Sequence, residues 1–258
     1  MKRNERRNVV IDMEGSNMNE YELKVYDEIA DWKRKMKKRS NMLTRASKKV
    51  QGKVNGMIPD KVHQFMTDAI KKMVKATLTG SDYMTKRNQG AGLSLQQKDG
   101  LLTEKLDTYR KTAVVEGAGT GAGGLLLGMA DFPLLLSIKM KFLFDAASIY
   151  GYDSSDYEER LFILHVFKLA FSSDEKRKET LETIENWEKH KQSLLDVDWQ
   201  EFQQEYRDYI DLVKMAQLVP GIGAVVGAYA NYNLLDQLGE TTKNAYRLRL
   251  LTTHPPTL

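Results

Sequence analysis

The side chains that could do chemistry in this sequence stand in two glycine-rich stretches. The first stretch, Ala113–Asp153, contains Asp131 between two apolar runs, two residues before Pro133. The second stretch, Leu218–Gly239, contains Asn231 and Asp236, and Arg247 follows it. If Asp131 is buried, its charge needs a partner, which would be one of these three residues, for example Arg247. The four side chains form a candidate polar centre that would suit a hydrolase-like enzyme. In a second interpretation, Asp131 is the N-cap of a helix that begins directly after it.

Beyond this centre, the sequence lacks the motifs of the common enzyme classes. The four histidines are widely separated, and none belongs to an HExxH or comparable metal-ligand pattern. No cysteine is present, which excludes disulfides, thiol catalysis and cysteine-based zinc sites. His165 lies in the apolar run LFILHVFKLAF, so we expect a core histidine with a satisfied hydrogen bond. We assign no catalytic residue, cofactor or metal ligand, and the sequence favours a protein that is not an enzyme.

The first glycine-rich stretch contains a formal match to a dinucleotide-binding fingerprint, Gly119-x-Gly121-x-x-Gly124. That fingerprint requires a strand before the glycines and a helix after them. The preceding residues, LLTEKLDTYRKTAVV, have a helical pattern instead. The context therefore argues against nucleotide binding.

The spacing of the glycines favours a structural role in helix contacts. Several are four residues apart, a spacing that places small residues on one helix face and lets two backbones approach closely. Glycine destabilises a helix by about 1 kcal/mol relative to alanine, so a close contact must compensate. We expect the two stretches to pack on each other through Gly117, Gly121, Gly124, Gly128, Gly223 and Gly227.

Hydrophobic periodicity predicts helices throughout the chain. An apolar stripe begins after Glu20, Pro59-Asp60 opens a second helix, and Ser94 with Gln97 forms a capping-box pattern. Further helices are expected over Ser154–Phe171 and Glu240–Leu251. No segment shows convincing strand alternation. The predicted fold is therefore all-α, a multi-helix bundle built around two glycine-rich helical hairpins.

We expect a single helical domain over residues 20–252. Residues 1–19 are polar and asparagine-rich, which predicts a disordered arm, and residues 253–258 form a frayed tail. The basic N-terminus has no apolar core of signal-peptide length, so export by that route is not indicated. The absence of cysteine fits a cytoplasmic location.

The positive charge is concentrated in the first part of the chain. Residues 1–110 hold 24 basic and 14 acidic side chains, and the segment Trp32–Lys53 has ten basic residues and no acidic one. Such a helix could lie on an anionic membrane surface or contact an acidic protein partner. Alternatively, its stripe packs on the core and its charges are simply solvated; no motif supports nucleic-acid binding. The candidate surface consists of Trp32, Lys33, Arg34, Lys35, Lys37, Lys38 and Arg39.

The sequence leaves open whether the two glycine-rich stretches enter the bilayer. Met215–Leu235 has no formal charge and is long enough to span, but it contains Pro220 and three polar amides. Asp131 would lie near mid-bilayer if the first stretch crossed, which is costly. The stretches therefore form a buried core, or they dip as hairpins into one leaflet.

In both stretches, the sequence resembles the EcsC family of bacterial proteins. The residues that carry the resemblance are GAGTGAGGLLLGMADFPLLL, IYGYD (Ile149–Asp153) and LVPGIGAVVGAYANYNLLDQLGETTKNAYRLR. The resemblance covers roughly Glu20 to Leu251. It implies a protein associated with an ABC transporter whose ATPase and membrane subunits are encoded alongside it, and it brings no established biochemical activity.

Three functional hypotheses follow. The first is a non-enzymatic accessory protein at the cytoplasmic face of the membrane, with transporter subunits and an anionic membrane surface as partners. The second is a hydrolase-like enzyme with its centre near Asp131, Asn231 and Asp236. The third is a protein that inserts its glycine-rich hairpins into the membrane. The sequence leaves the oligomeric state undetermined.

Overall fold

The computed structural model describes residues 19–37, 60–80, 83, 85–118, 124–172, 174–195 and 227–253. Within these ranges the regular structure is α-helical, without a β-strand, which confirms the all-α fold class. The helices are α1 (Glu20–Lys37), α2 (Asp60–Thr79), α3 (Leu95–Ala118), α4 (Gly124–Tyr150), α5 (Tyr157–Phe171), α6 (Asp174–Glu185), α7 (Trp187–Leu195) and α8 (Gly227–Thr253).

Two helix starts follow from local capping chemistry. The amide of Ser94 donates to Oε1 of Gln97 at 2.9 Å, and the amide of Gln97 donates to Oγ of Ser94 at 3.3 Å. This reciprocal pair confirms the predicted capping box in front of α3. Asn19 and Glu22 make the same exchange at the start of α1, at 3.0 and 3.1 Å.

The core is built on α4 and α5, which are apolar on most of their surface. In α5, every residue from Leu161 to Phe171 is buried, as the sequence predicted for this segment. α4 packs antiparallel to α3, since the ring of Phe142 lies 5.8 Å from that of Tyr109 and the hydroxyl of Tyr150 reaches Asp99. Antiparallel packing of two consecutive helices is the arrangement of a helical hairpin.

α8 lies across this core and contacts both α3 and α5. Its side chains meet α3 in antiparallel order, because Arg247 contacts Asp99 and Asp236 contacts Arg110. On its other side, Nε2 of the Gln237 side chain donates to the backbone carbonyl of Ala170 in α5 at 2.5 Å. α1 packs near α8, so three helices that are distant in the chain enclose one cleft.

Two sequence predictions about helix ends are wrong. α4 begins at Gly124, so Asp131 lies inside the helix and is not the N-cap of a helix that starts after it. The segment Glu240–Leu251 is not a separate short helix, because α8 is continuous from Gly227 to Thr253. α4 continues through Pro133 and α8 continues through Gly239, although proline and glycine usually mark helix ends.

Inside α8, Leu106 of α3 packs directly against the backbone of Gly239, which leaves no room for a side chain at this position. A Cβ atom at this position would lie 2.4 Å from Cδ2 of Leu106. Gly90 makes an even closer approach, since a Cβ there would lie 1.9 Å from the carbonyl oxygen of Ile149. Neither glycine was among those predicted to mediate helix contacts.

The predicted contact glycines are only partly described. Gly117 lies in α3, Gly124 and Gly128 lie in α4, and Gly227 begins α8, whereas Gly121 and Gly223 fall outside the described residues. Mutual packing of the two glycine-rich stretches stays a prediction. The division of the chain into an N-terminal arm, a single helical domain and a C-terminal tail also stays a prediction. Among the described helices, none is both long and apolar enough to cross a bilayer.

Candidate functional site

A cleft of about 450 Å³ opens between α1, α3 and α8. We call it the α1–α3–α8 cleft. Each helix contributes one face to it. The described lining residues are Glu28, Asp31, Trp32 and Lys35 from α1, Leu102, Thr103, Leu106 and Arg110 from α3, and Asp236, Gly239, Glu240, Lys243, Asn244 and Arg247 from α8.

An ion pair between Arg247 and Asp99 lies at one end of the cleft. Nε and Nη2 of Arg247 both contact Oδ2 of Asp99, at 2.8 and 2.7 Å. Both side chains are 3% exposed. Removing either partner would leave a buried charge, which is why such pairs are sensitive to single substitutions.

Three further side chains complete this network. Nη1 of Arg247 donates to Glu28 at 2.7 Å, and the hydroxyls of Tyr21 and Tyr150 donate to the two oxygens of Asp99 at 2.7 and 2.5 Å. Burial opposes the charge on Arg247, but its contacts with Asp99 and Glu28 outweigh that effect and raise its pKa. Burial and the Asp99 carboxylate raise the pKa of Tyr150. The network thus keeps Arg247 charged and both tyrosines protonated, and it ties α1, α3, α4 and α8 together.

At the other end of the cleft, Arg110 of α3 and Asp236 of α8 form an ion pair. The Arg110 side chain is 18% exposed and that of Asp236 is 39% exposed. This pair is therefore more hydrated than the Arg247–Asp99 pair and contributes less to stability.

Between its two ends, the cleft is lined by polar side chains that belong to neither of these ion pairs. Lys35 and Glu240 are exposed, and Lys243 is half-buried. Burial and the nearby Arg247 lower the pKa of Lys243. Asn244 is 6% exposed, and its side-chain amide donates to the carbonyl of Glu240 at 2.9 Å.

The four residues of the predicted polar centre are not gathered at one point. Along α8, Asn231 is 16 residues and therefore about 24 Å from Arg247. Asp131 is 19 residues before Tyr150 in α4, about 28 Å from the end at which Tyr150 joins the Arg247 network. The side chains of Asp131 and Asn231 fall outside the described residues, so their contacts stay a prediction.

The carboxylates that do contact Arg247 were not found by sequence reasoning. Asp99 and Glu28 precede it by 148 and 219 residues, and both stand in polar segments that resemble solvated helix faces. Asp236 was selected, but its partner is Arg110. The one available signal was that Arg247 lies in a helix whose neighbouring residues are apolar.

The candidate basic surface is only partly exposed. Trp32 is 3% exposed and packs in the core, as in the alternative where the apolar stripe of α1 is structural. Lys33 and Lys37 contact Glu185 of α6 at 2.9 and 3.1 Å. Arg34 pairs with Asp31 on the outside of α1, with 78% of its side chain exposed. Lys38 and Arg39 fall outside the described residues.

A second buried network that sequence reasoning also missed centres on Glu159 of α5. It accepts hydrogen bonds from Tyr246 at 2.6 Å and from Arg249 at 2.5 Å. Burial raises the pKa of Glu159 to about 7, and Arg249 opposes that shift. The Arg249 guanidinium also stacks over the ring of Tyr152 at 4.0 Å. The contacts of Glu159 with Tyr246 and Arg249 hold α5 against α8.

His165 is a core histidine, as predicted. It is 2% exposed, and its Nδ1 lies 2.8 Å from the carbonyl oxygen of Leu161. Burial and the nearby Lys168 lower its pKa to about 3, so the ring is neutral at physiological pH. Across the described part of the chain, no group of three or more acidic, histidine or cysteine side chains has the geometry of a metal site.

The fold and the cleft define an all-α protein whose distant helices are joined by buried ion pairs. The chain belongs to the EcsC protein family, whose family model matches residues 23–251. It is 53% identical over 224 residues to Protein EcsC of Bacillus subtilis (strain 168), covering 87% of this chain and 94% of that protein.

A second relative from the same organism is more distant. The chain is 29% identical over 194 residues to the uncharacterized protein YdbA of Bacillus subtilis (strain 168), covering 66% of this chain and 71% of that protein. No solved structure matches the chain.

Proposed function

We propose that this chain is a non-enzymatic accessory protein that works with an ABC transporter at the cytoplasmic face of the membrane. Membership of the EcsC family supports the transporter association, and the surface of α1 supports attachment by charge. The transporter subunits and anionic lipid headgroups are the proposed partners.

The observation that carries this proposal is the way α1 is held. Trp32 is buried in the core, whereas Arg34, two residues later on the opposite side of the helix, has 78% of its side chain exposed. The helix is therefore anchored by its apolar face and presents basic side chains on its outer face and at its C-terminal end. In the sequence this end leads directly into further lysines and arginines, up to Lys53. A fixed basic surface of this kind suits electrostatic contact with an anionic membrane or an acidic protein face.

The geometry of the cleft favours an interaction protein over a hydrolase. Arg247 is held by Asp99 and Glu28, and Asp236 is held by Arg110. These groups join helices to one another, and they are already neutralised by their partners.

The test is co-purification of the tagged full-length chain with the two transporter subunits encoded alongside it, from membranes solubilised in a mild detergent. We expect both subunits to be recovered with the wild-type chain at low salt. The double variant Arg34→Glu and Lys37→Glu should recover substantially less of them, because it reverses charge on the exposed part of α1.

A matched control reverses the same number of charges elsewhere. Lys72 and Lys75 are exposed on α2, so the variant Lys72→Glu and Lys75→Glu should recover the subunits like the wild type. Failure of the wild-type chain to recover either subunit would contradict the transporter association. Equal losses in both double variants would contradict the assignment of the contact to α1.

A further inference from the structure

The middle of the α1–α3–α8 cleft contains charged groups that have no described ion-pair partner. Lys35 on α1 and Lys243 on α8 both line it, and neither makes an ion pair within the part of the chain that the structure describes. The arginines at the two ends of the cleft are both paired. The cleft therefore has an ion pair at each end and two available ammonium groups between them.

A buried hydrogen-bond acceptor lies on the same face of α8. Asn244 is 6% exposed and lines the cleft, and its Oδ1 has no hydrogen-bond partner among the described residues. An unsatisfied buried acceptor destabilises a fold and calls for an explanation, such as a ligand that supplies the missing donor. Glu240 lines the cleft one turn earlier and offers a second acceptor.

Part of the wall around these groups is apolar, although most of the lining residues are polar or charged. Trp32, Leu102 and Leu106 line the cleft from α1 and α3. Gly239 lines the cleft from α8, and the side chain of Leu106 packs against its backbone. The cleft volume of about 450 Å³ is within the usual range for small-molecule sites, which combine apolar walls with a few convergent polar groups.

We propose that the α1–α3–α8 cleft binds a small phosphate monoester whose organic part carries a hydroxyl group. Lys35 and Lys243 hold the phosphate from opposite walls, and the hydroxyl donates to Oδ1 of Asn244 or to Glu240. A phosphate monoester carries nearly two negative charges near neutral pH, which match the two ammonium groups better than the single charge of a carboxylate. Burial and the nearby Arg247 lower the pKa of Lys243, and a bound anion would favour its charged form.

The ligand chemistry has two sources, a free polyol phosphate and the head group of a lysophospholipid. Isothermal titration calorimetry of the full-length protein distinguishes them with two probes: glycerol 3-phosphate, and a lysophosphatidic acid with a hexanoyl chain, used below its micelle concentration. Inorganic phosphate and glycerol, titrated separately, supply the anion and the hydroxyl alone.

We expect at least one of the two probes to bind more tightly than inorganic phosphate, and glycerol alone not to bind. If the hexanoyl compound binds more tightly than glycerol 3-phosphate, the apolar part of the cleft holds a lipid chain. If the two compounds bind equally, the ligand is the free polyol phosphate. If neither probe binds, or if inorganic phosphate binds as tightly as both, the proposal is overturned.

Two variants test the assigned residues. Lys35→Ala with Lys243→Ala should weaken binding about tenfold or more, because charged hydrogen bonds are lost. The matched control Lys72→Ala with Lys75→Ala removes two exposed lysines of α2 and should bind like the wild type. Equal affinity of the two double variants would exclude the lysine pair.

Asn244→Leu separates a ligand role from a structural one. Leucine has nearly the same shape and removes the unsatisfied acceptor, so the melting temperature should stay the same or rise while affinity falls. Unchanged affinity in this variant would remove Asn244 from the site and contradict the proposed hydroxyl contact.

Discussion

Asp99 of α3 and Arg247 of α8, 148 residues apart in the chain, form a buried ion pair in which two guanidinium nitrogens contact one carboxylate oxygen at 2.7 and 2.8 Å. Glu28 of α1 and Tyr150 of α4 join the same network. Four helices therefore meet at this ion pair. This junction sets the spacing of α1, α3 and α8, and so it determines the shape of the cleft between them.

The first prediction concerns this junction. Asp99→Asn leaves Arg247 with Glu28 alone, and the loss of a buried charge partner should lower the free energy of unfolding by about 3–5 kcal/mol. The measurement is urea unfolding followed by far-ultraviolet circular dichroism. Glu182→Gln, an exposed carboxylate-to-amide change on α6, is the control and should have little effect. A loss below about 1 kcal/mol in Asp99→Asn would contradict the assigned role.

The second prediction compares two glycines in helices. Gly239→Ala should destabilise the protein by about 1–3 kcal/mol, because its new Cβ would lie 2.4 Å from Cδ2 of Leu106 and force that side chain to move. Gly100→Ala in α3 meets nothing within 4 Å and should stabilise the protein by about 0.5–1 kcal/mol through helix propensity. Thermal melts of both variants provide the comparison. A gain in stability in Gly239→Ala would show that helix propensity, rather than the Leu106 contact, determines the result at this position.

The third prediction concerns Lys139, which is fully buried in α4 and whose Nζ has no hydrogen-bond partner among the described residues. Burial lowers its pKa from 10.5 to about 7. Between these two values the unfolded chain binds more protons than the folded one, so the free energy of unfolding rises with pH across that window.

Lys139→Met removes this dependence along with the buried amine. At pH 7 the variant should be more stable than the wild type by about 1–3 kcal/mol, and the difference should narrow as the pH approaches 10. Chemical unfolding at several pH values measures both effects, with Lys72→Met as an exposed control. A difference that stays constant with pH would show that Lys139 does not titrate in this range.

The fourth prediction links α6 to the basic surface of α1. Glu185 neutralises Lys33 and Lys37 at 2.9 and 3.1 Å. Glu185→Gln should strengthen binding to anionic lipid vesicles about fivefold at low salt, since one basic residue near a charged surface contributes about 1 kcal/mol. Vesicle co-sedimentation is the measurement. Glu182→Gln makes the same charge change on α6 without an α1 partner, and an equal gain in that variant would attribute the effect to net charge alone.

Sequence reasoning predicted the local features of the fold and missed the long-range ones. Ser94 and Gln97 are three residues apart, so their capping box was visible, and the apolar run around His165 indicated a buried helix. The partners of Arg247 were not visible, because Asp99 lies in a polar stretch and meets Arg247 only after α3 and α8 pack. The glycine at position 239 was likewise missed, since its close contact with Leu106 depends on the same packing.

Fractionation of cells that express the full-length chain tests the central proposal most directly. Membranes are collected at low salt and washed first with high salt and then with carbonate. We predict that the protein sediments with the membranes and is released by high salt, because screening weakens attachment through exposed charges. Recovery only in the soluble fraction at low salt, or retention through both washes, would contradict attachment through the basic surface of α1.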